Sequence, residues 1–192
     1  MNMTVGLDFD GLIGDLRSYQ KGGAQYDAWL DAIGVMQKMS ERKPMIRDRV
    51  VRTAFEEAHL EPNSPIYLKP VPGAIETIHA LLSLGFNLPV VTARTEEGAS
   101  LASFWLIQQG LALPFHATQK DGAKRHVLSR LGAIAHVDDT QSVLMDLRHH
   151  VLHRFLFSHG PYVYPIAPDL HFITSWSEIA IALRELREAN SF

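Results

Sequence analysis

The segment Val5–Gly11 (VGLDFDG) decides the fold, because it is an apolar run that ends in two acidic residues. The segment Ala133–Asp139 (AIAHVDD) repeats this arrangement much later in the chain. Each apolar run predicts a buried strand of a parallel sheet. Because strand side chains alternate between two faces, Asp8 and Asp10 are expected to leave the first strand on the same side. Carboxylates held this close repel one another, and a hard cation such as Mg²⁺ fits such a set of oxygen ligands.

An isolated Asp-x-Asp pair is more often a solvated turn at a strand end, but two further features accompany this one. A third apolar run, Asn87–Arg94 (NLPVVTAR), contains Thr92 at its end, and Lys124 lies shortly before the second acidic pair. The ordered set Asp8-x-Asp10, Thr92, Lys124 and Asp138-Asp139 resembles the four motifs of the haloacid dehalogenase-like (HAD) superfamily. Most members of that superfamily are Mg²⁺-dependent phosphatases.

The resemblance implies an α/β fold with a Rossmann-like parallel sheet flanked by helices. Apolar runs that alternate with helical patterns agree with this architecture. We predict strands near 4–9, 87–92, 114–117, 134–138 and 153–158. Helices are predicted over 75–84, 96–109 and 122–131, and a last helix is predicted to begin at the capping-box pattern Ser175-Trp176-Ser177-Glu178.

The segment 15–69 interrupts the alternation of strands and helices. It contains two helical patterns, near 25–39 and 46–60, and no convincing strand. By the resemblance it is a small helical cap inserted after the first strand, and 1–14 with 70–192 form the core domain. The alternative is a helical embellishment that packs away from the site. An apolar cap face (Trp29, Ile33, Met36) is compatible with packing on the core or against another subunit.

The resemblance also assigns chemical roles to the acidic residues. Asp8 is the nucleophile that forms an aspartyl-phosphate, and Asp10 is the general acid and base. The metal ligands are Asp8, Asp138 and the backbone carbonyl of Asp10, and the cofactor is Mg²⁺. Asp139 is expected to orient a metal-bound water or to cap the next helix.

The remaining site residues are a hydroxyl and two cations. Thr92 is expected to hydrogen-bond a phosphoryl oxygen. Lys124 falls in the first turn of a predicted helix, where a cation opposes the macrodipole unless an anion lies nearby; Lys120 is the fallback for this role. Arg94 is expected either to bind substrate phosphate or to tie its loop to the cap.

Histidines outside these motifs give a weaker signal. His149 and His153 have the i, i+4 spacing that can chelate a metal on a helix, and His150 lies between them. A strand is predicted to begin near His153, so the structural interpretation of this cluster is favoured. His136 is interpreted as a core residue or site wall, and His116 as a residue lining the cleft.

Composition excludes several other classes of protein. The 192 residues are 46% hydrophobic and carry a formal charge of −3, which suits one core domain with a modest insertion and argues against a nucleic-acid polymer as partner. The absence of cysteine excludes disulfides, thiolate metal sites and cysteine-based phosphatase chemistry. No apolar run is long enough to cross a bilayer and no secretory signal is recognisable, so we expect a cytoplasmic protein without a membrane partner.

We therefore expect a Mg²⁺-dependent phosphatase that acts on a small-molecule phosphomonoester. The stretches Val91–Arg94 and Phe104–Leu106 resemble the 5'-nucleotidase/deoxyribonucleotidase-like branch of the superfamily, which implies a nucleoside monophosphate as substrate. The alternatives are a sugar phosphate or another metabolite phosphate, or a non-catalytic binding or regulatory role.

Overall fold

The frame of the fold is a six-stranded parallel sheet, seen in a computed structural model that describes residues 3–15, 60, 68–160 and 165–190. The strands are β1 (Val5–Leu7), β2 (Gly14–Asp15), β3 (Lys69–Pro70), β4 (Val90–Thr92), β5 (Phe115–Ala117), β6 (Ala135–Asp138), β7 (His153–Phe157) and β8 (His171–Ile173). The helices are α1 (Ala74–Ser83), α2 (Glu96–Gln108), α3 (Lys124–Arg130), α4 (Gln141–Asp146) and α5 (Trp176–Ala189). This architecture confirms the predicted α/β fold class.

The strands follow the order β5-β4-β1-β6-β7-β8, and every neighbouring pair is parallel. The first strand in the chain therefore lies inside the sheet, with β4 on one side and β6 on the other. Because parallel strands end at the same edge of a sheet, Asp8, Thr92 and Asp138 meet there. The fold thus assembles in space the acidic and hydroxyl residues that are far apart in the sequence.

All five strands predicted from the sequence are present; β2 and β3 are additions outside the main sheet, and the strand added to that sheet is β8. It pairs with β7 at the edge of the sheet, in the register Leu156↔Phe172. Two of its three residues are exposed, so it lacks the apolar run by which a buried strand is recognised. At the edge of the sheet this strand forms with one buried side chain, that of Ile173.

The four helices predicted outside the segment 15–69 are also present, α4 is an addition, and two helix starts have clear local causes. In α2, Thr95 Oγ1 accepts a hydrogen bond from Gly98 N–H at 3.1 Å. In α5, Ser175 Oγ accepts from Glu178 N–H at 3.3 Å and the Glu178 carboxylate accepts from Thr174 N–H at 2.8 Å, which confirms the capping signal. None of the helices in the described ranges combines the length and the apolar character needed to cross a bilayer.

Two buried tryptophans join the sheet layer to the loops near the site. Trp105 on α2 packs edge-on against Phe9, with ring centroids 5.5 Å apart, and its indole N–H donates to the Leu68 carbonyl at 3.1 Å. The Trp176 indole N–H donates to the Leu12 carbonyl at 2.9 Å. Both rings combine a large apolar area with one satisfied donor, so they hold the segment after Asp8 and the chain near β3 against the core.

The strands β2 and β3 form a separate antiparallel ladder. Gly14 pairs with Pro70 and Asp15 pairs with Lys69. The ladder therefore brings together the two parts of the chain on either side of residues 16–68. The cap predicted over 15–69 remains a prediction, because residues 16–59 and 61–67, with Trp29, Ile33 and Met36 among them, lie outside the described residues.

Candidate active site

Three carboxylates converge at the edge of the sheet. Asp8 follows β1, Asp138 ends β6, and Asp139 comes next in the chain. One oxygen from each of the three lies within 4.8 Å of the others. Asp8 and Asp138 are almost fully buried, so the fold holds negative charge where water screens it poorly.

Lys124 bridges two of these carboxylates. Its Nζ donates to Asp8 Oδ1 at 2.8 Å and to Asp138 Oδ2 at 2.7 Å, and the side chain is buried. The lysine is the first residue of α3, as the sequence predicts. The fallback residue Lys120 is exposed. The unfavourable placement of a cation at a helix N-terminus is therefore offset by two carboxylates in direct contact.

The pKa values in the cluster follow from burial and from these charges. Burial would lower the pKa of Lys124, but Asp8 and Asp138 more than offset this and raise it, so the amine stays charged. Burial raises the pKa of Asp8 well above its usual range, and the charge of Asp138 adds to this against the opposing effect of Lys124. Burial and the charge of Asp138 raise the pKa of Asp139 to about 6. Negative charge on Asp8 and Asp139 is therefore costly in this cluster, and a bound cation would lower that cost.

The donor set fits a divalent cation. Among the described residues, four carboxylates (Asp8, Asp10, Asp138 and Asp139) stand against two cations (Arg94 and Lys124), which is an excess of two negative charges when these six groups are ionised. The three converging groups are all carboxylate oxygens, which are the ligands that Mg²⁺ prefers. A bound divalent cation would neutralise this excess charge.

Asp10 is held by Arg94 rather than by the cluster. Arg94 Nε donates to Asp10 Oδ2 at 2.9 Å and Nη2 donates to Oδ1 at 2.6 Å, a bidentate pair. The guanidinium is buried and lies 5.0 Å from the centroid of the Phe9 ring. The ligand role that the resemblance gives Asp10 uses its backbone carbonyl, so the side chain is available for this ion pair.

Thr92 occupies the end of β4 with its hydroxyl buried. Its Oγ1 accepts from the Arg94 backbone N–H at 3.3 Å, and its carbonyl accepts from Thr118 N–H at 2.8 Å. These contacts fix the loop that carries both Thr92 and Arg94. Because a hydroxyl is both donor and acceptor, the Thr92 O–H keeps a proton to donate.

Gly11 allows Asp139 to approach the loop after β1. Its φ is +73°, and a Cβ added there would collide with the Asp139 carboxylate. Thr140 Oγ1 donates to the other oxygen of that carboxylate, Asp139 Oδ1, at 3.0 Å. Glycine is therefore favoured at position 11 for two reasons. It adopts the positive φ without strain, and it leaves room for the Asp139 carboxylate.

Replacing Gly11 by alanine is expected to lower the free energy of unfolding by about 1–2 kcal/mol, because the left-handed conformation disfavours a Cβ, and to displace Asp139. Urea denaturation measures the change. Gly122→Ala is the matched control, since nothing lies within 4 Å of its added Cβ, and its stability should be unchanged or slightly raised. Equal stability of Gly11→Ala and wild type would contradict the close packing described here.

Two histidines lie beside the site: His136, which the sequence analysis places in the core or the site wall, and His159, which it does not single out. His136 Nε2 lies 3.2 Å from Asp138 Oδ2, and His159 Nε2 lies 2.6 Å from the Gly11 carbonyl oxygen. His159 follows β7 and belongs to none of the sequence motifs. For His136 a signal existed, because it precedes Asp138 by two positions on a strand and so shares its face.

The histidine cluster after α4 is not a metal centre among the described residues. His153 begins β7, as predicted, and so does not share a helix with His149. His150 Nδ1 lies 3.2 Å from Ser129 Oγ. Within the described ranges, the carboxylates Asp8, Asp138 and Asp139 are the group that could hold a cation.

His116 lines a cavity of about 570 Å³ between α2, β5 and α3. Glu96, Phe104 and Arg130 also line this cavity, whereas none of the converging carboxylates does. The side chain therefore lies away from the cluster at the sheet edge. Burial, with the charge of Arg130, lowers the pKa of His116 and favours the neutral ring.

Solved structures share this fold, although no family model and no curated protein matches the chain. A predicted phosphatase from Clostridium acetobutylicum has a TM-score of 0.65 at 13% identity, over 96% of this chain and 99% of that one. A haloacid dehalogenase-like hydrolase from Xanthomonas campestris has a TM-score of 0.61 at 14% identity, over 96% of each chain. A HAD family hydrolase from Deinococcus radiodurans, solved with bound phosphate and sodium, has a TM-score of 0.60 at 16% identity, also over 96% of each chain.

These similarities identify the architecture. The chain has the fold of the haloacid dehalogenase-like hydrolases, as its four motifs indicate.

Proposed function

We propose that this protein is a Mg²⁺-dependent phosphatase that hydrolyses small phosphomonoesters through an aspartyl-phosphate on Asp8. The observation that carries the proposal is the contact of Lys124 Nζ with Asp8 and Asp138, at 2.8 and 2.7 Å, beside the third carboxylate of Asp139. A buried nucleophile, a buried cation and an excess of carboxylate oxygens are what transfer of a charged phosphoryl group requires. The phosphate bound to the Deinococcus hydrolase, which has the same fold, supports this substrate chemistry.

In the first half of the proposed reaction, a carboxylate oxygen of Asp8 attacks phosphorus. The new Asp8–phosphorus bond forms as the ester P–O bond breaks, and Asp10 gives a proton to the leaving alcohol oxygen. For this half Asp10 is protonated, so at least one of its two contacts with Arg94 is released when the substrate binds. Lys124 stabilises the negative charge around Asp8, and the Thr92 O–H donates to a phosphoryl oxygen. Bound Mg²⁺ would spread the charge of the transferring group.

In the second half, Asp10 takes a proton from water as that water attacks phosphorus. The Asp8–phosphorus bond breaks, inorganic phosphate leaves, and Asp10 is protonated again for the next cycle. We propose that Arg94 supports this half, because its bidentate contact holds Asp10 as an oriented carboxylate.

For the substrate, we propose a nucleoside monophosphate, with a sugar phosphate as the alternative. The basis is the resemblance of Val91–Arg94 and Phe104–Leu106 to the 5'-nucleotidase/deoxyribonucleotidase-like branch. Phe104 is more than half exposed on α2 while Trp105 is buried in the core, so only the first of these aromatic rings is accessible.

Phosphate release from a panel of nucleoside monophosphates and sugar phosphates tests the proposal. We expect release with Mg²⁺ and background release with EDTA, because the carboxylate cluster needs a cation to admit an anionic ester. The ranking of substrates within the panel distinguishes the two substrate classes. Release that EDTA leaves unchanged would contradict the metal requirement, and silence across the panel from folded protein would favour a binding role.

A further inference from the structure

His136 is a fully buried histidine on the strand that carries a proposed metal ligand. It lies two positions before Asp138 in β6, so both side chains leave the same face of the sheet. A polar ring in an apolar core costs free energy unless it makes a hydrogen bond. The hydrogen-bond partner of the ring therefore indicates why a histidine occupies this position.

The partner of His136 is the carboxylate of Asp138. Nε2 lies 3.2 Å from Asp138 Oδ2. An ionised carboxylate only accepts hydrogen bonds, so the proton of the ring lies on Nε2 and His136 is the donor. The Lys124 ammonium also donates to Asp138 Oδ2, and a cation in direct contact favours the ionised form of this acceptor.

Three donors reach Asp138, and they differ in what else they contact. The Thr140 backbone N–H donates to Oδ1 at 2.9 Å. Lys124 donates to Oδ2 at 2.7 Å but is shared with Asp8. Among the described side chains, Lys124 and His136 donate to the Asp138 carboxylate. Lys124 also donates to Asp8, whereas the Nε2 hydrogen bond of His136 goes to Asp138 alone. It therefore fixes the plane of this carboxylate independently of the nucleophile.

The neighbouring strand makes room for the ring. Gly6 in β1 is the register partner of His136. A Cβ added to Gly6 would lie 2.8 Å from His136 Nδ1 and would also collide with Leu128. The glycine and the histidine therefore form a complementary pair, which confines the imidazole to the position from which it reaches Asp138.

We propose that His136 is a positioning residue that orients the Asp138 carboxylate toward the cation held with Asp8 and Asp139. The inference rests on the proposed function only in that Mg²⁺ binds this cluster. Hydrogen-bond partners of ligating carboxylates fix ligand orientation, and their removal typically weakens metal binding by about 10–100-fold. The metal affinity is therefore the property in which loss of this hydrogen bond is expected to show.

Isothermal titration calorimetry with Mg²⁺ tests the inference on wild type, His136→Phe and His136→Gln. Phenylalanine keeps an aromatic ring without the donor, so we expect its Kd for Mg²⁺ to rise about 10–100-fold. Glutamine keeps an N–H donor and is expected to recover part of the affinity. His153→Phe is the matched control. His153 is the first residue of β7, at the end of the strand away from the carboxylates, so this variant should bind Mg²⁺ as wild type does.

Equal Mg²⁺ affinity of wild type, His136→Phe and His136→Gln would overturn the inference and leave the proposed phosphatase intact. Wild-type protein that binds no Mg²⁺ would overturn both. Long-range proton–nitrogen spectra of histidine-labelled wild type give a second readout that needs no folded variant. They should show the His136 proton on Nε2, and a proton found on Nδ1 alone would contradict the assigned hydrogen bond.

Discussion

The Asp8→Asn variant is expected to lose at least about 10³-fold in kcat, because an amide cannot form the acyl-phosphate bond and the proposed two-step route then closes. Phosphate release on the best substrate of the panel, with saturating Mg²⁺, measures the loss. Asp146→Asn makes the same chemical change at an exposed position on α4 and should keep wild-type activity.

Asp8→Asn should also keep its fold. Burial and the neighbouring Asp138 raise the pKa of Asp8, which means that its charge is costly in the folded state. The neutral amide removes that cost, and Lys124 retains its contact with Asp138. We therefore expect a melting temperature in EDTA equal to or above that of wild type. Full activity in folded Asp8→Asn protein would exclude Asp8 as the nucleophile.

The Lys124→Met variant is expected to lose about 3–5 kcal/mol of unfolding free energy, because it leaves buried carboxylates without their cation. Methionine keeps an unbranched side chain of similar length, so the change removes charge with little change in packing. Urea denaturation in EDTA measures the effect without any contribution from a bound metal.

Lys120→Met is the control for that measurement. Lys120 lies four residues earlier and is exposed, so its replacement should alter stability by no more than about 0.5 kcal/mol. If Lys124→Met cost as little as Lys120→Met, the contacts of Lys124 with Asp8 and Asp138 would not be the main balance of charge in the cluster.

The positions that could be predicted from the sequence are those governed by local rules. The period of two in a strand places Asp8 and Asp10 together, and a buried apolar run identifies β1, β4 and β6. A lysine in the first turn of a helix indicates a nearby anion, and the structure supplies Asp8 and Asp138. The edge strand β8 escaped prediction because an exposed strand of three residues carries no apolar pattern.

Side-chain pairing across the fold required the structure. The Asp10–Arg94 ion pair joins loops that follow two different strands, and no spacing in the sequence encodes which acid the guanidinium meets. The sequence places His136 in the core or the site wall but does not predict its contact with Asp138. The room for the imidazole ring is left by Gly6, which becomes its neighbour only when β1 and β6 pair. Local patterns thus predict which residues reach the sheet edge, and tertiary packing decides which of them touch.

The short ladder between β2 and β3 has a consequence for how this chain evolves. Asp15 and Lys69 are register partners, so the segment between them begins and ends at neighbouring positions. The free-energy cost of closing a flexible loop rises by only about 0.6 kcal/mol for each doubling of its length. We therefore expect the cap predicted between these two strands to tolerate changes of length at little cost to the carboxylate edge, so that descendants of this chain could come to act on other substrates with the same chemistry.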